Sequence, residues 1–496
     1  MSTFSLIFIA VLGIALLLFL VIVVRIQAFV ALLISSLVVA IIGGIPPQDV
    51  AKTIQDGMGS TLGYIAIIIG LGAMFGELLQ ASGGAEVISN TLIRRFGEKR
   101  APLALGLTGV IVSIPVFFDV ALILLIPLVY SMTRRTGKSL LYYGIPLAAG
   151  LAVGHSFIPP TPGPVAVAGL LGADLGWVIL MGLIAGIPAM LVGGLLFGRY
   201  IGNKIHLDLP ASALVAVDAP ERELVTLSAF PSEQRSGVTP QGRDPLDASD
   251  VSEAKQQGEA AALAESRHQS SGRLPSFGLV LSILAVPLVL ILLNTVSGVL
   301  LPEGNAVRNW ITFIGHPFVA LTIAALLSFY FLGIRQGFSQ RQVLNLATKS
   351  LEPVGLIILV TGAGGVLGKV LIATGIGEAL AGLMAASNLP VIALAFFIAV
   401  LVRVSQGSAT VSMVTTAGLL APVITTANYS APLVGAITIA IASGATVLSH
   451  VNDSGFWLVG RFFDMTEQQT LRSWTVMETI VGVVGFLVML LVSFFL

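Results

Sequence analysis

The chain has 496 residues, of which 56% are hydrophobic and only 10% are charged, and its mean hydropathy is +0.98. Soluble domains carry about 25% charged residues, so this composition excludes an ordinary soluble enzyme or binding domain and indicates a polytopic membrane protein. The 25 basic and 25 acidic residues cancel, so no net charge favours nucleic acid as a partner. A chain without cysteine has no disulfide and no thiolate metal site, and no cofactor is expected.

Apolar segments of about 20 residues, long enough to cross a hydrocarbon core of about 30 Å as helices, recur along the whole chain. Helices are the expected spanning element because open strands leave backbone groups unpaired in lipid. The first segment lacks a basic leader and a small-residue cleavage site, so it is interpreted as a retained span rather than a signal peptide. The predicted spans cover residues 4–24, 26–45, 61–79 and 177–200 in the first half, and 277–296, 310–333, 353–372 and 474–496 in the second.

One long polar interruption, residues 203–275, separates the two halves. It is rich in Ser, Ala, Gln and mixed charge and has too few large apolar residues to form a core, which is typical of a flexible linker. The spans follow in the same order on either side of it. The sequence therefore predicts a first transmembrane repeat at 1–202 and a second at 276–496.

Each half also contains an apolar segment that is broken near its middle and is too short for two crossings, which need roughly 40 residues. Residues 102–132 break at "SIPVFFD" and are flanked by the basic clusters "RRFGEKR" and "RRTGK". Basic residues favour the cytoplasmic side, so we expect both ends on that side and a re-entrant hairpin between them. Residues 390–426, broken at "RVSQGSAT", are the corresponding segment of the second half.

After the hairpin, each half is predicted to contain a discontinuous helix. Arms at 140–153 and 165–171 flank the stretch "GHSFIPPTPGP", and residues 431–448 precede "SHVNDSGF". Four prolines in the first stretch remove backbone donors and hold the chain extended, which exposes carbonyl groups and the N–H groups of the next helix to a cavity. A surface turn between two short helices is the alternative.

The order of elements gives about ten crossings and two hairpins, or five crossings in each half. An odd number inverts the second half, and an external N-terminus then puts the linker and all but four of the 25 basic residues in the cytoplasm, with both termini in the periplasm. Gly72 and Gly76 recur as Gly364 and Gly368 at a constant offset, which supports a duplication; close packing of Gly-rich spans is the alternative reason. Inverted repeats with broken helices are the plan of secondary transporters.

Several long motifs resemble one family. The motifs "GLGAMFGELLQASGGAEVIS", "GHSFIPPTPGPVAVAGLLGADLG", "GSATVSMVTTAG" and "SHVNDSGFW" are similar to those of the gluconate:proton symporters, the GntP-type permeases. The similarity covers the chain apart from the linker. In the family the proline loop is similar to PPHPGP, and Thr161 stands here at the position of that histidine.

The resemblance implies a secondary active transporter, not an enzyme, that imports gluconate or a related sugar acid with protons across the bacterial inner membrane. Some members take D-serine or other small hydroxy acids instead. The family belongs to a wider ion transporter superfamily whose members have scaffold and transport domains. For such proteins a homodimer and an elevator-type motion are expected.

A buried site for an organic anion needs a cation or helix N-terminal N–H groups for the carboxylate, and hydroxyl or amide groups for the sugar hydroxyls. Arg403 is the expected carboxylate partner; snorkelling of Arg403 to the interface, with the hydroxyl groups bonded to their own helix, is the alternative. The candidate substrate-binding residues are Arg403, Ser405, Gln406, Gly407, Ser408 and Thr410 in the second hairpin, and His155, Ser156, Thr161, Gly163, His450 and Asn452 in the broken helices.

Ionisable groups at membrane depth are costly and are therefore candidates for function. Asp119 at the tip of the first hairpin and Asp453 in the second broken helix are the predicted proton-coupling residues, and His155 and His450 are further candidates. The sequence lacks the HExxH and GxSxG motifs of hydrolytic enzymes. An anion channel is the alternative of another class, although short polar breaks do not form a continuous pore.

Overall fold

The computed structural model describes residues 2–210, 274–379, 382 and 390–496, and over these residues the chain is helical without a β-strand. The bulk of the predicted linker, residues 211–273, lies outside the described residues. The helices before it are α1 (Thr3–Ile22), α2 (Ala28–Ile42), α3 (Pro47–Ala81), α4 (Gly84–Phe96), α5 (Ala101–Ser113), α6 (Phe118–Thr136), α7 (Leu140–Phe157), α8 (Pro162–Leu171) and α9 (Leu175–Lys204). The helices after it are α10 (Phe277–Leu300), α11 (Ala306–Ile314), α12 (Pro317–Ser328), α13 (Gln340–Lys349), α14 (Glu352–Ala373), α15 (Val391–Gln406), α16 (Ala409–Ala427), α17 (Ala431–Thr446), α18 (Ser454–Phe462) and α19 (Glu467–Ser493).

Nine helical segments of the described residues are long and apolar enough to cross a membrane. Eight of them coincide with predicted crossings, and the ninth, α16, is a predicted hairpin arm. The other two predicted crossings are α2, with 15 residues, and the pair α17 and α18, with 16 and 9 residues. The prediction of an all-α polytopic membrane protein is confirmed; the inverted relation of the two halves stays a prediction.

Helix α3 is much longer than the predicted span 61–79. It begins at Pro47, in a first turn where proline costs no hydrogen bond, and continues for 35 residues. Its opening stretch "PQDVAKTIQDGMGS" is polar and partly exposed, so hydropathy misses it although it forms helix. In the second half a separate helix, α13, precedes α14 and begins with a capping box of Ser339 and Gln342.

The first hairpin is formed by α5 and α6, joined by residues 114–117. Arg135, in the last turn of α6, donates a hydrogen bond of 2.6 Å to Glu98, just before α5. The two ends of the segment therefore meet, as the basic clusters predict. Helix α5 has 13 residues and is about 20 Å long, which is too short to cross a hydrocarbon core of about 30 Å.

The second hairpin is formed by α15 and α16, which meet at Gly407. This glycine has a φ of +80°, a left-handed conformation that glycine adopts without steric cost. The hydroxyl of Ser412 on α16 donates a 2.8 Å hydrogen bond to the carbonyl of Ala399 on α15. Ala399 lies eight residues before Gly407 and Ser412 lies five residues after it, so the two arms run back along each other.

Both predicted discontinuous helices are present, but the first break is shorter than expected. Helix α7 continues to Phe157, so His155 and Ser156 lie in its last turn rather than in a loop. Pro162 and Pro164 lie in the first turn of α8, where proline is well tolerated.

Only residues 158–161 separate the two arms on this side, and all of them are buried. The alternative of a surface turn is therefore wrong. Residues 447–453 separate α17 from α18 in the second half.

The first residues of the predicted linker pack on the membrane-spanning part of the chain. The Ser139 hydroxyl donates to the carbonyl of Ile205 at 2.8 Å and accepts from the N–H of Leu207 at 3.1 Å. Leu207 is buried. The linker boundary at residue 203 is therefore too early, because hydrophobic and hydrogen-bonding contacts hold the next few residues.

Buried apolar side chains form two large cores. The larger core contains α3 to α9 together with α15 to α19. The smaller core joins α1 and α2 to α14, and it also includes buried residues of α3, α8 and α16. The breaks in the hairpins and in the discontinuous helices belong to the larger core.

Candidate functional site

The tip of the first hairpin packs against the first broken helix. The rings of Phe117 and His155 lie 6.1 Å apart, and residues 115–117 and 160–162 line one narrow cleft with α3. Helix α3 comes this close because of its glycines: a Cβ at Gly72 would lie 3.3 Å from the carbonyl oxygen of Pro160, and one at Gly76 would overlap that of Pro115.

The repeated glycines of the second half make different contacts. A Cβ at Gly364 would lie 2.9 Å from the side chain of Val414, and one at Gly368 would lie 3.4 Å from the carbonyl oxygen of Gly418. Both neighbours are on α16, an arm of the second hairpin, rather than in a break. The repeated glycines therefore allow close helix packing in both halves, but they contact different elements in each half.

The second hairpin meets the second broken helix at its tip. A Cβ at Gly407 would overlap the carbonyl oxygen of Asn452. The Asn452 amide donates a 2.9 Å hydrogen bond to the carbonyl of Val404, and Nε2 of His450 lies 3.3 Å from the same oxygen. This carbonyl is near the end of α15, where helix carbonyls lack intrahelical partners. Three predicted substrate-site residues, Gly407, His450 and Asn452, therefore hold the second hairpin against the second broken helix.

Further contacts connect the two pairs of breaks. The ring of Phe118, at the first hairpin tip, lies 5.3 Å from the ring of Trp474 on α19, and the Trp474 indole donates a 2.7 Å hydrogen bond to Ser449 in the second break. A Cβ at Gly163, in the first turn of α8, would lie 2.7 Å from the sulfur of Met413 on α16. The hairpins and the broken helices therefore form one contiguous cluster.

Arg403 and Asp453 form a buried ion pair within this cluster. The Nη2 atom of Arg403 lies 2.5 Å from Oδ2 of Asp453, with side-chain exposures of 3% and 13%. The same guanidinium donates through Nη1 to the carbonyl of Gly407. Arg403 therefore does not snorkel, and its carboxylate partner in this conformation is Asp453 rather than a substrate.

Hydrogen bonds satisfy both oxygens of the Asp453 carboxylate. Besides Arg403, Oδ2 accepts from the hydroxyl of Ser449, and Oδ1 accepts a 3.2 Å hydrogen bond from the N–H of Gly455 in the first turn of α18. Asp453 is thus the N-cap of that helix, where a negative charge is stabilised by the helix dipole.

Most predicted hydroxyl ligands are bonded to nearby backbone. The Ser405 hydroxyl donates to the carbonyl of Leu401 at 2.7 Å, as the alternative of bonding within the helix predicts. Ser408 caps α16 by accepting from the N–H of Val411 at 3.3 Å, and Thr161 donates across its break to the carbonyl of Ile158 at 2.8 Å.

Two other predicted residues present polar atoms that remain unsatisfied. Both the carboxamide nitrogen and oxygen of Gln406 are buried with no hydrogen-bond partner in the described part of the chain, as is Nδ1 of His155. Ser156 is buried beside His155, and Thr410 is half-buried in the first turn of α16. Buried polar groups normally find partners, so Gln406 and His155 are the groups best placed to receive a ligand.

Comparison with known proteins agrees with the resemblance noted in the sequence. The sequence model of the GntP family permeases matches residues 5–232 and 245–495. The chain belongs to this family. It is 39% identical over 488 residues to the low-affinity gluconate transporter of Escherichia coli K12, covering 98% of both chains, and 37% identical to a gluconate permease of Pseudomonas aeruginosa, covering 95% of this chain and 93% of the relative. The Gnt-II system L-idonate transporter of Escherichia coli K12 is 34% identical, with 97% of both chains covered.

Solved transporter structures share the fold of this permease. The YdaH transporter of Alcanivorax borkumensis aligns with a TM-score of 0.61 at 16% identity, covering 94% of this chain and 98% of that one. MtrF of Neisseria gonorrhoeae aligns with a TM-score of 0.57 at 13% identity, covering 93% of both chains. The family and these relatives are transporters, so the permease is not an enzyme.

Sequence reasoning missed one acidic residue of the permease. Glu478 on α19 is 4% exposed, and it lies one helical turn after Trp474 and Thr475, which bind Ser449, a hydrogen-bond partner of Asp453. Asp119 lies in the first turn of α6, next to Phe118, whose ring contacts that of Trp474. The available signal was a glutamate within the apolar stretch "VMETIVGVV", since an ionisable residue inside a span is a functional candidate.

Proposed function

We propose that this permease imports gluconate or a closely related sugar acid by proton symport. The observation that carries the proposal is the 39% identity to a gluconate transporter along 98% of both chains. Because one relative is an L-idonate transporter, the proposal includes other sugar acids. D-serine or another small carboxylate is the alternative substrate, and an anion channel is the alternative of another class.

The substrate carboxylate binds, on this proposal, where the second hairpin meets the second broken helix. Arg403 has one buried N–H, at Nε, without a partner in the described residues, and Gln406 offers a carboxamide with both atoms free. Helices α6, α8, α16 and α18 begin at the breaks, and helix N-termini favour an anion. The remaining proposed ligands for the carboxylate or the sugar hydroxyls are Ser405, Gly407, Ser408, Thr410, His155, Ser156, Thr161, Gly163, His450 and Asn452.

A proton that enters with the substrate offsets its charge. An anion in a buried site is costly unless another charge compensates it. Asp119 and Asp453 are the candidates for proton binding that the sequence offers, and they lie in the first turn of α6 and at the N-cap of α18, next to the breaks.

The proposal extends to alternating access of the elevator type within a homodimer in the bacterial inner membrane, with both termini in the periplasm and the linker in the cytoplasm. The ion pair of Glu98 with Arg135 supports a common side for the two ends of the first hairpin.

Uptake by purified protein in proteoliposomes tests the proposal. With an inwardly directed proton gradient, labelled gluconate should accumulate, saturate with concentration and exchange in counterflow. Unlabelled L-idonate should compete, and D-serine should compete less well. Non-saturating flux without counterflow would favour the channel, and preferential competition by D-serine would favour the alternative substrate.

A further inference from the structure

Glu478 is a buried carboxyl group that is not among the proposed substrate ligands. Its Oε1 atom has no hydrogen-bond partner within the described ranges. Trp474 and Thr475, one helical turn before it, bind the hydroxyl and the carbonyl of Ser449. Gly482, one turn after it, lies against the second broken helix, since its Cβ would be 2.5 Å from the Ser443 carbonyl oxygen. Because residues one turn apart share a helix face, Glu478 faces the same broken helix.

Few other charges surround this carboxyl group. Hydrogen bonds connect its helix face to Arg403 and Asp453: Trp474 donates to Ser449, Ser449 donates to Asp453, and Asp453 accepts from Arg403. Helix α17 has no ionisable residue, and α7 brings His155 and two tyrosines. Helix α9 brings Arg199, Tyr200 and Lys204, which are all exposed. Arg403 is therefore the cation that an ionised Glu478 would pair with.

Arg403 and Glu478 each keep one complementary atom unused. Among the residues that the structure describes, the Nε–H group of Arg403 is a buried donor without a partner, and Oε1 of Glu478 is a buried acceptor without one. Leaving a buried donor or acceptor without a hydrogen bond costs free energy, and the cost is larger for charged groups. The pair is thus poised to form when Glu478 is ionised and to stay apart when Glu478 is protonated.

We propose that Glu478 is the proton-binding residue of transport, and that its carboxylate and the substrate carboxylate are alternative partners for Arg403. This inference rests on the proposed symport. A proton from the outer solution binds the Glu478 carboxylate and frees the Nε–H of Arg403 for the substrate. One negative charge thereby replaces another, so the buried cluster has the same net charge with and without cargo. Loss of the substrate on the inner side lets Glu478 release its proton and return to Arg403.

Asp453 is less suited to this role. Both of its oxygens accept hydrogen bonds, from Arg403, Ser449 and Gly455, so the carboxylate already serves as the counter-ion of Arg403 and the N-cap of α18. Protonation of Asp453 would also leave Arg403 without its charged partner. Asp453 is a positioning residue on this view, because it holds Arg403 at the break while Glu478 gains and loses the proton.

The test compares Glu478→Gln with Glu478→Asp and with Glu467→Gln, which makes the same change at an exposed position of the same helix. In proteoliposomes, Glu478→Gln should retain gluconate counterflow but lose accumulation driven by a pH gradient, for which coupling to one proton gives about tenfold per pH unit. Glu478→Asp and Glu467→Gln should accumulate gluconate as the unaltered protein does.

Wild-type protein in the same vesicles separates the two proposals. Failure of wild type to take up gluconate would contradict the proposed function itself. With an active wild type, Glu478→Gln that still accumulates gluconate against a gradient would overturn the role of Glu478. Loss of counterflow in Glu478→Gln would overturn it too, because the carboxyl group would then be needed for binding or folding rather than for coupling.

Discussion

Arg403 and Asp453, 50 positions apart in the chain, form a 2.5 Å ion pair with side chains only 3% and 13% exposed. One residue belongs to the second hairpin and the other to the second broken helix, so the pair fixes the two breaks against each other. Its effect on stability depends on the presence of both partners, because a buried charge is tolerated only when it is paired and hydrogen-bonded.

The pair should behave as a coupled unit in stability measurements. Asp453→Asn leaves the Arg403 charge buried without a counter-ion, and removing one partner of a buried pair typically costs about 3–5 kcal/mol. The double variant Arg403→Gln/Asp453→Asn buries no charge at this point and should recover much of the loss. Thermal unfolding in detergent, analysed as a double-mutant cycle, measures the coupling. Additive losses would mean that the two residues are energetically independent.

Substrate affinity should depend on the shape of the Arg403 side chain as well as its charge. A lysine retains the charge but lacks the planar fork that holds Asp453 and Gly407 while leaving Nε free. Arg403→Lys should weaken gluconate binding by roughly tenfold or more, about 1.4 kcal/mol, and Arg403→Gln by more. Equilibrium binding to folded, monodisperse protein is the measurement. Unchanged affinity of Arg403→Gln would assign the carboxylate to helix N-termini near Gly163 and Gly455.

The close approach of α3 to the first hairpin predicts an asymmetric effect of alanine. At Gly76 a Cβ would overlap the backbone carbonyl of Pro115, and overpacking of this kind costs about 1–3 kcal/mol. Gly63 lies on the same helix with nothing near its Cβ position, so Gly63→Ala should be neutral or slightly stabilising, because alanine is the better helix former. Equal melting temperatures for the two variants would contradict the packing at Gly76.

The positions of the breaks could be predicted from the sequence, whereas their partners could not. Proline and glycine act locally, so the interruptions at residues 158–161 and at Gly407 follow from the residues themselves. Arg403 was expected to meet a substrate carboxylate, but its partner Asp453 comes from a different element, and only tertiary packing brings the two together. The proline run that follows His155 closely predicts a loop there, yet the helix continues for four residues beyond the predicted end at residue 153.

Glu478 shows a different limit of sequence reasoning. Its apolar neighbours identify a membrane span, and the span assignment is confirmed by α19. That assignment also hides the glutamate, since one acid among many apolar residues changes the hydropathy little. Its significance depends on which face of the helix it occupies, and Trp474 and Thr475 settle that face through Ser449.

The predicted topology can be tested by cysteine labelling, because the natural chain has no cysteine. Ser2→Cys and Glu303→Cys should react with an impermeant reagent added outside intact cells. Lys99→Cys and Lys204→Cys should react only after permeabilisation. All four positions are exposed in the structure, so access depends on the side of the membrane. Labelling of Lys99→Cys from outside would overturn the orientation and the re-entrant hairpin together.

Gln406 should reveal a trade-off between stability and function. Its carboxamide is buried at the end of α15 with neither polar atom bonded within the described chain, and an unsatisfied buried group of this kind costs about 1–3 kcal/mol. Gln406→Leu has similar volume without that cost, so its substrate-free form should unfold at a higher temperature than wild type. If the carboxamide binds the substrate, the same variant should bind gluconate more weakly and gain less thermal stability from it. Gln406→Glu is the complementary control, because an added negative charge should weaken gluconate binding further without the gain in stability. A Gln406→Leu protein that is more stable and still binds gluconate as wild type does would make Gln406 a packing residue and move the ligand site towards His155.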